Sequence, residues 1–202
     1  MYTQTTTETT SAPATAMMIP VEALHLHMFC ADNDSGREAI KYVQVVNDHG
    51  KCTAVAVNGH HLAIYKWVDP EGDRVARVEL YLDAEACKVA AKGKAEVQRH
   101  ATPSGIVSGN INATFVSFES RGLTYPDWQQ VLPKTDPAPE APATFGFSAE
   151  YVGTLAKYLK ACKVVPQIQL VTYPGKDGLG PLVFKSPDPL FDLTYVLMPA
   201  RV

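Results

Sequence analysis

One local pattern, a short strand, a helix and then three more strands, occurs three times along this chain. That repetition limits the possible folds more than any other feature. In the first copy, residues 17–20 read as a strand. Residues 21–31 read as a helix, because Val21, Leu24, Met28 and Ala31 fall on one stripe at helical spacing. Asp32-Asn33-Asp34-Ser35-Gly36 breaks it. Residues 42–46, 52–57 and 62–68 follow as strands. Asn47-Asp48-His49-Gly50 joins the first two, and the next connection holds Asn58-Gly59, a strong hairpin signal.

The second copy places a strand at 78–82, a helix at 84–92 capped by Asp83 and ended by Gly93, and strands at 95–100, 105–108 and 113–118. The third places a strand at 144–147, Ser148 as N-cap, and a helix at 149–163 with Val152, Leu155, Leu159 and Cys162 inward. Strands at 168–173, 182–185 and 193–198 complete it. Such an order predicts an α+β fold with helices laid on one face of antiparallel sheets. The chain then divides into a flexible Thr-rich tail (1–16), a complete two-unit domain (17–133), a stiff Pro/Ala-rich connector (134–143) and a half domain of one unit (144–202).

Composition narrows the function. Apolar residues make up 46% and charged residues 19%, which is globular, and the formal charge of -3 excludes a protein that is basic throughout. Contact with phosphates therefore needs local lysines. Lys88 and Lys92 lie one turn apart on the second helix, and Lys157 and Lys160 nearly so on the third, with Lys157 opposite the apolar stripe. These are the candidate DNA-facing residues, able to meet a phosphate backbone without reading bases. Their alternative role is as ordinary solvated helix faces.

The tail lacks the basic and apolar regions of a signal peptide. No apolar run approaches the ~18 residues of a membrane span. Cys30, Cys52, Cys87 and Cys162 are scattered without a CxxC pair, so reduced thiols in a cytoplasmic protein are expected. His25 and His27 point to different sides of a helix. His60 and His61 have no carboxylate or thiol at ligand spacing, so no metal or cofactor is expected. The nucleophile-elbow and phosphate-loop motifs are missing, and Cys30, Cys87 and Cys162 fall within helices, so no enzymatic activity is expected.

The run 195–202 is an apolar strand that Pro199 must end, which delivers a Met-Pro-Ala-Arg-Val tail to the surface as a possible wall for a partner's peptide. Together with this run, two other strings carry a resemblance. Val57-Asn58-Gly59-His60-His61-Leu62-Ala63, Tyr125-Pro126-Asp127-Trp128-Gln129-Gln130-Val131-Leu132-Pro133 and Val196-Leu197-Met198-Pro199-Ala200-Arg201-Val202 resemble, in order, three signatures of the bacterial sliding clamp family, the beta subunit of DNA polymerase III. The usual forms there are close to T-D-G-H-R-L-A, F-P-D-Y-R-R-V-L-P and V-V-M-P-M-R-L.

The resemblance implies a DNA-clamp fold and a hydrophobic pocket for short linear motifs of DNA polymerases, clamp loaders and repair proteins. Carried over by position, that pocket takes Val57, Gly59, His60, His61 and Leu62, then Pro126, Gln130 and Val131. It is completed by Val196, Met198, Pro199, Ala200, Arg201 and Val202, with Ser148 and Tyr151 at its rim. Departures alter its expected character: His61 replaces an Arg, Gln129-Gln130 an Arg-Arg and Ala200 a Met, so the pocket should be less basic and shallower.

A clamp of this family has three domains of two units and closes, as a dimer, into a ring around duplex DNA. This chain resembles the middle domain joined to the second half of the last. The expected function is a non-enzymatic, sequence-independent processivity factor in DNA replication, with duplex DNA and clamp-binding-motif proteins as partners and self-association of the half domain across a two-fold axis. The alternative is a clamp-derived interaction module, of phage or mobile-element type, that keeps the pocket but encircles nothing.

Overall fold

Two tight turns start the architecture. Strand β2 (Tyr42–Asp48) and strand β3 (Lys51–Val57) are joined by His49 and Gly50, whose φ values of 50° and 81° form the two-residue turn that suits the twist of a hairpin. Strand β4 (His61–Val68) returns from β3 through Gly59, at φ 94°. These assignments belong to a computed structural model that describes residues 17–32, 36–70, 77–92, 99–102, 105–108, 113–116, 124–137, 146–164, 167–174 and 180–198. The Thr-rich tail and residues 199–202 lie outside that set, as does most of the Pro/Ala-rich connector.

The remaining strands are β1 (Met17–Met18), β5 (Val78–Asp83), β6 (Arg99–Thr102), β7 (Gly105–Ser108), β8 (Ala113–Val116), β9 (Gln169–Thr172), β10 (Leu182–Lys185) and β11 (Asp192–Leu197). They form two antiparallel sheets: seven strands in the order β5-β2-β3-β4-β11-β10-β9, and four in the order β1-β6-β7-β8. The leading strands are exchanged between copies of the repeat. β1 opens the first copy but pairs with β6 of the second, with Met17 opposite Ala101. β5 opens the second copy but pairs with β2 of the first, with Tyr42 opposite Asp83. The third copy joins the first through β4 and β11, where Leu62 faces Val196 and Tyr65 faces Leu193.

Alternation along β4 explains why both faces of the large sheet are covered. Ala63 and Tyr65 enter the main core with Leu24, Phe29, Tyr158 and Tyr195, while Leu62 and Ile64 enter an outer cluster with Val55, Val183, Val196 and Tyr125. Helices cover the first face. α2 (Ala84–Ala91) is capped as its sequence predicts, the Asp83 carboxylate accepting from the Ala86 N–H at 3.0 Å. α3 (Ala149–Ala161) docks through buried Tyr158, whose hydroxyl donates to the Glu22 carbonyl at 3.1 Å. Lys163, at φ 57°, ends it, and the Val164 N–H returns to the Leu159 carbonyl. Ser148 occupies the N-cap position but its side chain caps nothing.

The helix expected over 21–31 is shorter. Val21–His25 is α-helical (α1), and Leu26–Phe29 tightens to a 3-10 turn. Leu26 and Phe29 are both fully buried, and the tighter winding sets residues three apart on one side. Of the strand expected at 144–147, only Gly146, in a single β-bridge, and Phe147 are described. All four cysteines are free thiols. Among the described residues no helix is long and apolar enough to cross a membrane.

Candidate functional site: an apolar cleft on the outer sheet face

Three segments far apart in sequence meet on the outer face of the large sheet. The turn between β3 and β4 is fixed by Asn58, whose side-chain oxygen accepts from the N–H groups of His60 (3.0 Å) and His61 (3.1 Å). Gly59 is required by its φ, and a Cβ there would also sit 3.4 Å from Arg37 Nη1. The segment 124–133 crosses the sheet and is pinned by two aromatic residues. Buried Tyr125 sets its hydroxyl 3.1 Å from the Val55 carbonyl and 3.2 Å from that of Tyr42. Trp128 donates from Nε1 to Gln44 Oε1 at 3.0 Å. The third segment is the end of β11, where the Met198 N–H donates to the His60 carbonyl at 3.3 Å.

Between them lies a cleft of about 190 Å³. Of the residues expected there, Val57, Gly59, His60, His61, Leu62, Pro126, Val131, Val196 and Met198 line it. Arg37, Ile40, Asp127 and Trp128 line it as well, although none was singled out from sequence. Asp127 and Trp128 sit inside a motif that was read. Arg37 and Ile40 precede β2, in and beside a 3-10 turn over Glu38–Lys41, and no local signal ties them to the cleft. Val57, Leu62 and Val196 make the floor; Pro126, Trp128, Val131 and Met198 make the walls. Met198 is 48% exposed, an unusual position for a methionine beside an apolar hollow.

Gln130 does not reach the cleft. Trp128–Val131 is a 3-10 turn, which sets Trp128 and Val131 on the same side and turns Gln130 outward, where it donates to Asp127 Oδ2 at 2.9 Å. Ser148 is not in the lining. Tyr151 stands at the margin, stacked on His60 at 5.7 Å between ring centres and edge-on to His61 at 4.8 Å. Pro199, Ala200, Arg201 and Val202 lie outside the described residues.

His61 is the polar hinge of the cleft wall. It is 5% exposed and its Nε2 lies 3.3 Å from the Phe29 carbonyl, an oxygen that can only accept, so Nε2 carries the proton. Nδ1 lies 3.0 Å from the Tyr195 hydroxyl, which also stands 3.1 Å from the Tyr151 carbonyl and has one proton for the two. Burial pushes the imidazole pKa down to about 4, so it is neutral at physiological pH. The cationic side chain at the cleft is Arg37, balanced in sign by Asp127 on another wall.

The lysine pairs behave differently. Lys88 binds both carboxylate oxygens of Glu85, at 2.9 and 3.1 Å. It shares a groove of about 360 Å³ with Lys157, His27, Thr154, Glu85 and Asp32. The two cations there face two carboxylates. Lys92 and Lys160 are exposed. Among the described residues, no three His, Cys, Asp or Glu side chains gather in a metal-ligand group.

No protein-family profile matches the chain, and no curated protein sequence does. Solved structures do. The DNA polymerase sliding clamp of Bacillus subtilis superposes with a TM-score of 0.65 at 15% identity, over 96% of this chain and 67% of the clamp. That of Pseudomonas aeruginosa, solved with a ligand, gives 0.64 at 14% identity over 95% and 68%. The Caulobacter crescentus beta sliding clamp gives 0.63 at 17% identity over 95% and 67%. The chain therefore has the fold of the bacterial sliding clamps and spans about two thirds of their length.

Proposed function

We propose that this chain, folded as a sliding clamp, is a clamp-like processivity factor whose outer cleft receives a short linear peptide of a DNA polymerase or another replication or repair protein. The observation that carries this reading is the convergence of Asn58–His61, Pro126–Val131 and the end of β11 on one apolar cleft. An extended peptide fits such a site through one or two apolar anchors against Leu62, Val131, Val196 and Met198, oriented by the few polar groups at its rim. The cleft in this reading lies where the two-unit domain (17–133) meets the half domain (144–202). In this reading the protein is cytoplasmic and self-associating, works without enzymatic chemistry, and holds duplex DNA without sequence preference.

A second reading keeps the cleft and drops the ring. Lys88 is neutralised by Glu85, and the groove it shares with Lys157 also carries Asp32, which favours an interaction module that does not encircle DNA. Fluorescence anisotropy with a labelled clamp-binding-motif peptide tests the shared part. Binding to the wild type, lost on Met198→Asp and on deletion of residues 198–202, is the expected result; binding unchanged by both removes the cleft assignment. Retention on circular DNA that falls as the circle is linearised separates the ring from the module.

A further inference from the structure

The seven-stranded sheet has a local two-fold axis between β4 and β11, which pair antiparallel. Across it β3 corresponds to β10 and β2 to β9. The correspondence fails at one place. β2 is covered by the exchanged strand β5, whereas among the described residues β9 pairs only with β10.

The two end strands are built differently. β5 carries Glu79 and Asp83, and the Glu79 carboxylate accepts from Gln44 and from the Tyr81 hydroxyl. Charged side chains of this kind discourage another strand from adding to an edge. From Val164 to Gly175 no residue is charged, and β9 within it reads Gln169-Leu170-Val171-Thr172. Leu170 faces Phe184 on the side of the main core and is 43% exposed; Val171 faces Val183 on the side of the outer cluster. Both apolar layers therefore run out to this strand and end in solvent there.

We infer that β9 is the seam at which a second copy of this chain joins, strand to identical strand and antiparallel. The inference deepens the self-association in the functional reading by assigning it to one edge. Among the described residues the exchanged strands are β1 and β5, each from another copy of the repeat, and neither pairs with β9. A second chain can cover β9 with its own β9 at no cost in charge, because an isologous contact sets an uncharged strand against itself. It also extends both cores across the axis, covering Leu170.

Light scattering and sedimentation of the full chain test this directly. The wild type should have twice the 22.0 kDa chain mass at micromolar concentration. Leu170→Lys should dissociate it, weakening association by about tenfold or more, with its circular dichroism unchanged. Gln169→Lys, at an exposed position of the same strand, should act in the same direction and serves if Leu170→Lys misfolds. Val68→Lys, on an exposed residue of β4, should leave the mass unchanged. A monomeric wild type, or an oligomer indifferent to both β9 variants and so joined elsewhere, overturns the proposal. Peptide binding is read separately: a dimer that binds no peptide refutes only the cleft.

Discussion

The cleft and the lysine-bearing helices invite comparison, because both were candidate binding surfaces by sequence and the structure treats them differently. At the cleft every wall is held from behind. Asn58 fixes the turn, Tyr125 and Trp128 pin the segment 124–133, and β11 arrives hydrogen-bonded to His60. On the helices the charge is set by neighbours, and Lys88 spends its ammonium on Glu85. Residues that act through shape need a scaffold and leave one to be found. A charge at a surface acts only through what remains unpaired around it.

The largest effect that tests this contrast is at Met198. Replacing it by Asp should weaken peptide binding by roughly 30-fold or more, the loss of a central apolar anchor, without changing retention of DNA. Loss of both together would mean that the two surfaces are not separate. Next comes the scaffold: Tyr125→Phe removes the one hydroxyl proton that the Val55 and Tyr42 carbonyls share and should cost about 1 kcal/mol in denaturant unfolding. A variant as stable as the wild type would show that the segment 124–133 is held by packing alone.

The third effect is pH dependence. The folded pKa of His61 lies near 4, below the ordinary 6.5, so between these values the unfolded chain takes up a proton that the folded chain refuses. Stability should be full above pH 6.5 and fall towards pH 4 by an amount of order 1–3 kcal/mol. His25 and His27, lowered chiefly by burial as well, act with the same sign. His61→Gln should flatten the profile; an unaltered profile would place the acid sensitivity elsewhere. The smallest effect belongs to Lys88→Gln, expected to change DNA retention by less than about twofold because Glu85 already holds that charge. The pair Lys157→Glu with Lys160→Glu should weaken retention more, and equal effects would erase the distinction drawn between them.

Much of this was legible in the chain because it is local. Asn58-Gly59 gave the hairpin, Asp83 the cap and the repeat spacing the α+β order, each depending on a few neighbouring residues. Nine cleft residues were found within short strings. What escaped notice depends on register between distant segments. Nothing near Arg37 or Ile40 indicates that they border the cleft, since only the fold brings them beside Gly59. The exchange of β1 and β5 between units is invisible to periodicity, because an exchanged strand has the same pattern as one retained. Gln130 lies outside the cleft lining because the winding of its segment decides which way it points, and a 3-10 turn directs it to Asp127. His61, standing where the resemblance has an Arg, is held neutral by burial in the wall, and Arg37 brings positive charge to the cleft from another segment.

The most direct test is a structure, or a chemical-shift map, of the protein with a clamp-binding-motif peptide. The account predicts that the peptide's apolar side chains contact Leu62, Val131, Val196 and Met198, with perturbations that end at Trp128 and His60. A peptide seated away from these residues, or none bound at concentrations that saturate a full-length clamp, would contradict it.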